Sequence, residues 1–536
     1  MTQEIKADYC IAGVGIAGAL LAAKLSESGK NVVLLDQGPR YSEEDRAAMI
    51  KGQRETLNDF ADFNDGAPEG VVTPHSSAHE GDDAVPWTHQ RIFGVGGSAL
   101  HYEGNMTRPR EEDLQVKTLY GYGRDWPLTY GELEPWLLKA EHETGVACSP
   151  DNPYASARSG PFPMEGHPPS YFDREIMGPA LKRIGITGHS SPRAIATRPY
   201  RGRSPCLACR ACKFCPSGAR YSPDRVQVPV LDSRTNVTIL EKVSLRRLEV
   251  SARGDRIRSA QAIRLDDRKP VVIRAERFVV AMGGVETTRL LMLSAGPGEH
   301  REGLGNSGGQ LGRRFSDHFN IFAAIDAGRN VGSRLGFETM TSEHFRVNID
   351  RREEPTFILY TAPAIDWVPA GIYAADWAAG GGDSFDLGKV RAAIPRMAFM
   401  YAMTELGGNG TIDLDSRKVD AFGDPVAKIT MRLSDWDRRS RDAFAGLLPK
   451  IAESMEALHI SEIYPDFGMG YHPSGAAAMA LSPADGVCDP DLKVFGLDNL
   501  YLVSNSTFPH MGSNPPTLTI AALALRLAAH LDGRVR

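Results

Sequence analysis

Residues 9–18 read Tyr9-Cys10-Ile11-Ala12-Gly13-Val14-Gly15-Ile16-Ala17-Gly18, a short apolar strand that runs into a glycine-rich turn. The pattern predicts a helix over residues 19–28 and a second strand over residues 31–35, which together make a βαβ unit. The three glycines of the turn allow a pyrophosphate to approach the backbone at the start of the helix. Asp36, at the end of the second strand, is placed to bind ribose hydroxyls. The stretch therefore predicts an α/β domain that binds an ADP-containing cofactor, either FAD or NAD.

The composition limits the class of protein. A chain of 536 residues with 42% apolar residues is long enough for two or more domains. The formal net charge of −6 comes from interleaved charges, so we expect no nucleic-acid partner. Residues 1–7 lack the pattern of a signal peptide, and no apolar run reaches about 18 residues, so we predict no direct membrane span. Four of the 7 cysteines lie in one tight run, which is unlike an extracellular disulfide framework and favours the cytoplasm.

Later segments continue the α/β pattern. Residues 237–240 and 278–281 have the composition of buried strands, and a helix is predicted from about Leu290. Between about residues 320 and 460 the pattern changes to short alternating runs, which are typical of an antiparallel sheet. Residues 519–531 form an Ala/Leu-rich segment that we expect to be a helix packed on the dinucleotide domain.

The most unusual feature is a run of four cysteines, Cys206, Cys209, Cys212 and Cys215, followed by Pro216. A repeated C-x2-C spacing that ends in C-P brings four thiolates together and is typical of iron–sulfur ligation. Tetrahedral zinc is the second interpretation, although zinc sites more often separate their two cysteine pairs by a longer stretch. Disulfides are the third and fit a reducing compartment poorly. Arg210 and Lys213 would partly offset the charge of a thiolate-bound cluster or contribute to a docking surface for an acidic acceptor.

Separated motifs resemble those of the glucose-methanol-choline (GMC) oxidoreductases, a family of FAD enzymes that oxidise alcohols. Besides the N-terminal turn, they are Gly-Val-Gly-Gly-Ser-Ala-Leu-His at 94–101, Tyr-His-Pro-Ser-Gly at 471–475 and the segment from Phe508-Pro509 to Asn-Pro-Pro-Thr at 514–517. Residues 125–130 and 283–286 resemble the sugar-oxidising branch. Residues 198–221 are similar to the cluster region of bacterial FAD-dependent glucose dehydrogenase. The cysteine spacing differs from that enzyme, so the cluster type stays open between [4Fe-4S] and [3Fe-4S].

The resemblance implies a fold and a division of the chain. The fold is a Rossmann-like FAD-binding domain of the GMC and p-hydroxybenzoate hydroxylase-like type, with an antiparallel-sheet substrate domain. Residues 1–315 would form the first parts of the FAD-binding domain, with the iron–sulfur segment inserted at about 198–222. Residues 316–465 would form the substrate domain. Residues 466–536 would return to the FAD-binding domain and carry the catalytic pair.

The same resemblance assigns the site residues. His472 matches the family's catalytic histidine and Asn514 its partner position, with His510 as the second candidate for the base. A neutral imidazole suits removal of a hydroxyl proton, because its unperturbed pKa, about 6.5, lies near working pH. Ala476 and Ser504-Asn505 depart from the usual family patterns. The predicted cofactor-binding residues are Gly13, Gly15, Gly18, Asp36, Gly96, Gly97, Ser98, His101, Val243, Ser504, Asn505, Pro515 and Thr517. His101 falls where some members carry a covalent bond to the flavin.

These assignments predict an FAD-dependent dehydrogenase that oxidises an alcohol group of a sugar, polyol, sugar acid or glycoside. Electrons would pass through the iron–sulfur cluster to an external acceptor such as a cytochrome c-type protein. A small export or chaperone subunit would be a second partner, and co-export with it would place the protein in the periplasm. The first alternative is an oxidase of the same family that reduces O2 and binds structural zinc through the cysteine run. The second is a flavin-binding electron-transfer or assembly subunit whose catalytic residues are incidental.

Overall fold

The N-terminal βαβ unit is present in the computed structural model. The model describes residues 2–56, 78–81, 91–209, 211–332, 337–363, 386–461, 463 and 471–533. The first strand, β1 (Gln3–Ala12), is longer than its apolar end because its first half pairs in the sheet while staying partly exposed. The first helix, α1 (Ile16–Glu27), begins directly after the glycine turn, and β2 (Val32–Leu35) follows. The predicted order of strand, turn, helix and strand is therefore confirmed.

The other strands of the described residues follow in chain order. They are β3 (Ala78–Gly81), β4 (His189–Ser190), β5 (Val237–Leu240), β6 (Val243–Val250), β7 (Ile257–Arg264), β8 (Pro270–Val280), β9 (Arg313–Phe315), β10 (Phe319–Asp326), β11 (Met340–Ser342), β12 (Phe357–Pro363), β13 (Met397–Thr404), β14 (Gly410–Val419), β15 (Pro425–Met431), β16 (His459–Ile460) and β17 (Leu500–Leu502).

The other α-helices in the same part of the chain are mostly short. They are α2 (Glu43–Thr56), α3 (Val116–Tyr120), α4 (Tyr130–Thr144), α5 (Gly178–Arg183), α6 (Pro223–Asp232), α7 (Gly283–Leu293), α8 (His344–Val347), α9 (Leu387–Ala393), α10 (Asp435–Met455) and α11 (Thr517–Leu531).

The first sheet is the cofactor sheet. Its order is β5-β2-β1-β8-β7-β6, with β17 paired to β8. β1 lies parallel to both of its neighbours, so Tyr9 faces Val32 on one side and Arg277 on the other. Helices α1 and α11 pack together, and their leucines share one core with the buried ends of β1, β2 and β8. Because parallel strands buried on both faces need helices as cover, this is an α/β arrangement.

The second sheet is antiparallel and has the order β16-β10-β13-β12-β11-β4. It comes largely from the segment predicted to carry the substrate, and β4 joins it from residues 189–190. A third sheet has the order β3-β15-β14-β9. The mixed α/β architecture with an antiparallel sheet is therefore confirmed, and the domain boundaries at 315 and 465 stay predictions.

One predicted helix begins in a different place. Helix α7 starts at Gly283, seven residues before the predicted start at Leu290. A Cβ on Gly284 would lie 2.1 Å from the carbonyl oxygen of Pro473, so the start of α7 packs directly against the backbone of the segment that carries His472. Gly283 and Gly284 thus belong to the first turn of α7 and do not precede the helix. In the described residues, no helix combines the length and the apolar character that a membrane crossing requires.

Candidate active site

Two glycines at the turn between β1 and α1 leave no room for a side chain. A Cβ on Gly13 would lie 2.4 Å from the oxygen of Ala281, and one on Gly18 would lie 2.0 Å from the oxygen of Gly13. Gly15 is the N-cap of α1 and supplies no side-chain cap. The first N–H groups of the helix thus lie beside a turn that requires glycine at positions 13 and 18, which is the arrangement that binds a pyrophosphate. These residues fit the dinucleotide that the sequence predicts.

Asp36 lies at the carboxyl end of β2, beside that turn. Its two carboxylate oxygens accept hydrogen bonds from the N–H groups of Val14 (3.0 Å) and Gly38 (2.9 Å). Burial raises the pKa of Asp36 to about 6 in spite of these two donors. The N–H of Val243, the first residue of β6, donates to the Asp36 carbonyl at 2.9 Å. Asp36 and Val243 therefore stand together next to the glycine turn, at the sheet edge where a ribose would lie.

The second glycine-rich segment packs on the first. The N–H of Gly96 donates to the carbonyl of Val14 at 3.0 Å, and a Cβ on Gly97 would lie 3.0 Å from the Cα of Gly15. Gly97 begins a short 3-10 helix, Gly97–Leu100, which contains Ser98 and ends at His101. The predicted cofactor residues of both segments are thus brought together. A covalent bond between His101 and the flavin stays a prediction.

The C-terminal segment completes this edge of the sheet. The carbonyl of Asn505 accepts from the N–H of Gly475 at 2.9 Å, and the hydroxyl of Ser504 donates to the carbonyl of Gly283 at 3.2 Å. Pro515 is buried and Thr517 begins α11. These contacts place the segment that carries His472 between α7 and residues 504–506, at the carboxyl end of the parallel strands, where open α/β sheets bind their ligands.

His472 is in contact with a second histidine that the sequence did not single out. The Nδ1 atoms of His318 and His472 are 2.8 Å apart, and their rings meet edge to face. One carboxylate oxygen of Asp317 accepts from the backbone N–H groups of both His318 (2.7 Å) and His472 (2.9 Å). The one local signal for this pair was an Asp-His dipeptide directly before an apolar strand. A contact between residues so far apart in the chain has no periodic signature.

The hydrogen bonds of His318 fix the proton positions on both rings. Nε2 of His318 lies 3.0 Å from the carbonyl of Gly512, which can only accept, so this nitrogen carries a proton. Burial lowers the pKa of His318 to about 4, so the ring is neutral near pH 7 and its Nδ1 holds a lone pair. His472 must then donate from its own Nδ1. Its Nε2 is left as the basic nitrogen.

His472 itself is neutral under the same conditions. Desolvation, together with the neighbouring His318 ring, lowers the pKa of His472 well below its ordinary value. The side chain stays partly exposed, whereas His318 is fully buried. A neutral imidazole with an unprotonated and accessible nitrogen is the form that a general base requires.

Asn514 is held by a buried arginine. Nη2 of Arg346 lies 3.4 Å from Oδ1 of Asn514, and the same guanidinium donates to Asp113 (2.6 Å) and Glu343 (2.5 Å). Arginine only donates, so the amide oxygen of Asn514 faces Arg346 and its NH2 group faces away. One N–H of that group reaches the carbonyl of Pro515 at 3.3 Å. The other remains as a donor for a substrate oxygen.

His510, the second candidate for the base, is bound to a buried carboxylate. Its Nε2 donates to Glu405 at 2.6 Å. Glu405 also accepts from Tyr122 (2.6 Å), Arg351 (2.9 Å) and Thr356 (2.5 Å). Burial opposes ionisation of Glu405, but these donors hold its pKa well below the ordinary value. His510 is therefore part of a structural network that joins the Gly512 loop to the antiparallel sheet.

The cysteine run folds into a compact loop. Cys206, Cys212 and Cys215 share one small apolar cluster with Ile195, Ala219 and Phe337, and Cys209 is exposed. The sulfur of Cys206 accepts from the N–H of Ala208 at 3.4 Å and that of Cys215 from the N–H of Arg220 at 3.2 Å. Burial raises the pKa of the Cys206 thiol, the N–H of Ala208 opposes this rise, and the thiols of Cys215 and Cys209 add to it. Three of the four predicted ligands are thus gathered around one buried volume.

The structure does not assemble a metal site from these thiols. In the ranges described, no group of three or more His, Cys, Asp or Glu side chains is arranged to hold a metal ion. Iron–sulfur and zinc ligation by the four cysteines both stay predictions. Arg210, which was expected to offset cluster charge, lies outside the described residues, and Lys213 lies within the loop.

A cavity of about 690 Å³ is lined in part by residues 106–108. Its walls include Arg108, Glu141, Phe162 and Glu343, and neither His472 nor Asn514 lines it. Glu343 touches Arg346, which in turn contacts Asn514. The cavity therefore neighbours the predicted catalytic pair, His472 and Asn514, and is separate from it.

Comparisons with known proteins agree with this geometry. Two family models described as GMC oxidoreductase match residues 130–320 and 407–524. The chain is 30% identical to the fructose dehydrogenase large subunit of Gluconobacter japonicus, over 98% of each chain. It is 23% identical to the gluconate 2-dehydrogenase flavoprotein of Pantoea cypripedii, over 97% of this chain and 92% of that one.

A solved structure shows the same fold. The pyridoxine 4-oxidase from Mesorbium loti superposes with a TM-score of 0.63 at 18% identity, covering 99% of this chain and 100% of that one. One assignment follows from the matches to the family models, from the relative matched end to end and from the glycine cradle at the start of α1. The chain belongs to the GMC oxidoreductase family and is an FAD-dependent enzyme that oxidises CH–OH groups.

Proposed function

We propose that this protein is a dehydrogenase that oxidises an alcohol group of a sugar, polyol, sugar acid or glycoside and passes the electrons to an external acceptor. The observation that carries the chemistry is the contact between His318 and His472, which presents Nε2 of His472 as an unprotonated base. Oxidation of an alcohol needs removal of the hydroxyl proton together with transfer of the carbinol hydride. The group that accepts the proton and the group that accepts the hydride must therefore lie at the same place.

His472 takes the hydroxyl proton at Nε2. When it does so, the ring becomes a cation whose Nδ1–H donates to the lone pair of His318, so the new charge is hydrogen-bonded at once. His318 is held in its acceptor form by the Gly512 carbonyl. This arrangement keeps the base in one tautomer and one orientation before the substrate arrives.

Asn514 orients the substrate oxygen. Its amide oxygen is turned toward Arg346, so the free N–H can donate to the alcohol oxygen and to the carbonyl oxygen that forms from it. An amide cannot compete with His472 for the proton, because it has no basic nitrogen. The two side chains therefore divide the work between proton removal and alignment.

The glycine turn, Asp36, residues 96–98 and residues 504–517 would hold FAD along the carboxyl edge of the parallel sheet. When bound there, FAD supplies the hydride acceptor. The substrate class rests on similarity to the fructose dehydrogenase large subunit and the gluconate 2-dehydrogenase flavoprotein. Both names denote dehydrogenases, which supports an acceptor other than O2.

The cysteine loop supports the same choice. Cys206, Cys212 and Cys215 share one small apolar cluster, and backbone N–H groups donate to two of their sulfurs, as they do around thiolate-ligated clusters. A cluster bound there would supply one-electron transfer. We propose a cytochrome c-type protein as acceptor, and export with a small partner subunit as the route to the periplasm.

An anaerobic half-reaction tests the proposal. The purified holoenzyme is mixed with single members of four classes, an aldose, a polyol, a sugar acid and a glycoside, and the loss of oxidised flavin absorbance is followed. We expect one class to reduce the flavin, and a small artificial electron acceptor to reoxidise it much faster than O2 does. Iron, zinc and acid-labile sulfide are measured in the same sample. Zinc without iron, together with rapid hydrogen peroxide formation, would establish the oxidase alternative.

A further inference from the structure

The two faces of the second sheet carry different residues, because successive side chains of a strand point to opposite sides. On one face, Ile321, Leu359 and Met400 belong to the apolar core that also contains residues of α5 and α10. The opposite face, which we call the front face, carries aromatic and polar side chains on its three central strands. They are Asn320 and Phe322 of β10, Tyr401 and Met403 of β13, and Ile358 and Tyr360 of β12.

Cross-strand pairing arranges the front face in rows. Tyr401 lies opposite Phe322 on one side and opposite Tyr360 on the other. The three rings stack, with centroids 4.9 Å and 4.7 Å apart, and form an aromatic row. In the row before it, nearer the start of β10, Asn320 lies opposite Met403. Neighbouring rows on one face are two residues apart, which is about 7 Å along the strand.

The start of the front face lies against the active-site loops. His318 comes two residues before Asn320 and therefore lies on the same side of the sheet. Its ring contacts His472, the proposed base. Thr356, directly before β12, donates from its hydroxyl to the hydroxyl of Ser513 at 3.0 Å. The row that contains Asn320 is thus the next one along from the residues that contact the base and the C-terminal loop.

The aromatic row lies against a second segment of the cofactor-binding part. The amide nitrogen of Asn105 donates to the hydroxyl of Tyr360 at 3.0 Å. The amide is fixed in this orientation because its oxygen accepts from the N–H (3.1 Å) and the hydroxyl (2.8 Å) of Thr107. Asn105 follows shortly after His101, at the end of the second glycine-rich segment. The row of Asn320 therefore lies between the C-terminal loop and the segment that follows the predicted flavin contacts.

Asn320 has a polar atom left over. The residue is 5% exposed, and its Oδ1 is buried and accepts no hydrogen bond from the part of the chain that the structure describes. Buried polar atoms are normally paired, so the missing donor calls for an explanation. The side chain opposite it in the row, Met403, has no proton to donate. A hydroxyl group of a ligand would supply the donor, and since a hydroxyl also accepts, it complements both halves of an amide.

We propose that Asn320 is a specificity-determining residue whose amide binds a substrate hydroxyl away from the carbon that is oxidised. The inference rests on the proposed function, because it takes His472 as the base. Asn320 stands one row, about 7 Å along the strand, beyond His318. A hexose or a linear polyol reaches that far from its reacting carbon, whereas a small simple alcohol does not and leaves the amide unpaired. The substrate class is therefore polyhydroxylated.

Anaerobic reduction of the flavin in the holoenzyme tests the inference. Rates at a series of substrate concentrations give a limiting rate and a dissociation constant. D-Glucose, D-sorbitol, D-gluconate and methyl β-D-glucoside are the probes, and the fastest of them is then compared with its monodeoxy analogues. In the wild type, we expect loss of one remote hydroxyl to lower the ratio of limiting rate to dissociation constant at least about tenfold, because the amide then stays unpaired.

Asn320→Leu should remove this preference. Leucine has nearly the shape of asparagine and no polar atom, so the complete probe should lose at least about tenfold in the same ratio. The deoxy analogue should be affected little, and the ratio between the two should fall toward one. The loss should lie mainly in the dissociation constant, because the contact is remote from the reacting atoms.

Ile321→Val is the matched control. Ile321 is the next residue of β10, and its side chain lies in the apolar core on the other face of the sheet. The change perturbs the packing of the same strand without touching the front face, so the preference for the hydroxyl should stay as in the wild type. The melting temperature of Asn320→Leu should not fall, since the change removes an unpaired buried atom. If Asn320→Leu does not fold, Asn320→Ala decides by the same ratio.

The outcomes separate this inference from the proposed function. If none of the four probes reduces the flavin, the proposed substrate class fails and this inference fails with it. If a probe reduces the flavin and Asn320→Leu keeps the wild-type preference for every hydroxyl, this inference alone is wrong. A wild type that is indifferent to every remote hydroxyl would overturn it in the same way.

Discussion

The Nδ1 atoms of His318 and His472 lie 2.8 Å apart, and this contact decides which nitrogen of His472 is basic. The Gly512 carbonyl makes Nε2 of His318 a donor, which makes its Nδ1 an acceptor and Nδ1 of His472 a donor. The catalytic role proposed for His472 thus depends on a neighbour that contributes no chemistry of its own.

Replacement of the base should remove most of the activity. We expect His472→Ala to lower kcat/KM by at least about 100-fold, because a general base contributes on that scale. The rate of anaerobic flavin reduction measures it directly. His459→Ala, at an exposed histidine in β16, should leave the rate unchanged. A loss below about tenfold in His472→Ala would support the reading of the chain as an electron-transfer or assembly subunit.

Two isosteric changes at His318 should differ in effect. The side-chain oxygen of Asn can replace Nδ1 as an acceptor for His472, whereas the Gln amide lies nearer the Nε2 position and reaches Gly512 instead. We expect His318→Asn to keep more of kcat than His318→Gln, with FAD content unchanged in both. Steady-state kinetics with the identified substrate provide the measurement. Equal losses would show that His318 only fills space.

Activity and stability should both fall on the acid side. The folded pKa of His318 is lowered to about 4 and that of His472 well below its ordinary value, whereas unfolded histidine titrates near about 6.5. The unfolded state therefore binds more protons below that pH, and stability is lost as the pH falls from about 6.5 toward 4. Urea unfolding at a series of pH values measures this slope. His318→Asn, which cannot titrate, should show a shallower slope.

The profile of kcat/KM should show the same shift. Its acid limb should have an apparent pKa below about 6.5, since His472 must be neutral to take a proton. An acid limb well above that value would mean that a different group acts as the base.

Glu405 should matter for stability rather than chemistry. Glu405→Gln leaves Arg351 without one of its buried partners and weakens the bond to His510. Loss of one member of a buried charge network costs about 3–5 kcal/mol, so the melting temperature should fall by several degrees. Glu353→Gln breaks an exposed pair with Arg439 and should cost under about 1 kcal/mol. Equal effects of the two changes would contradict the structural role of Glu405.

Much of the fold was predictable because its signals are local. Neighbouring residues alone predicted the glycine turn, the apolar strand before it and the strand at 237–240. The structure has strands at Gln3–Ala12 and Val237–Leu240. The start of α7 at the glycine pair 283–284 was missed because glycine, taken in isolation, is a poor helix former. Its packing against Pro473 makes it a helix start, and that contact is remote in sequence.

The amino-acid sequence by itself determined the cofactor cradle, the family and the candidate base, since each depends on residue types at fixed short spacings. The tertiary structure alone decided the proton positions on His472, the engagement of His510 by Glu405 and the place of Asn320 on the sheet face that carries His318. These facts depend on hydrogen bonds between residues far apart in the chain, 154 positions in the case of His318 and His472. They also depend on burial, which shifts pKa values and is a property of the folded chain.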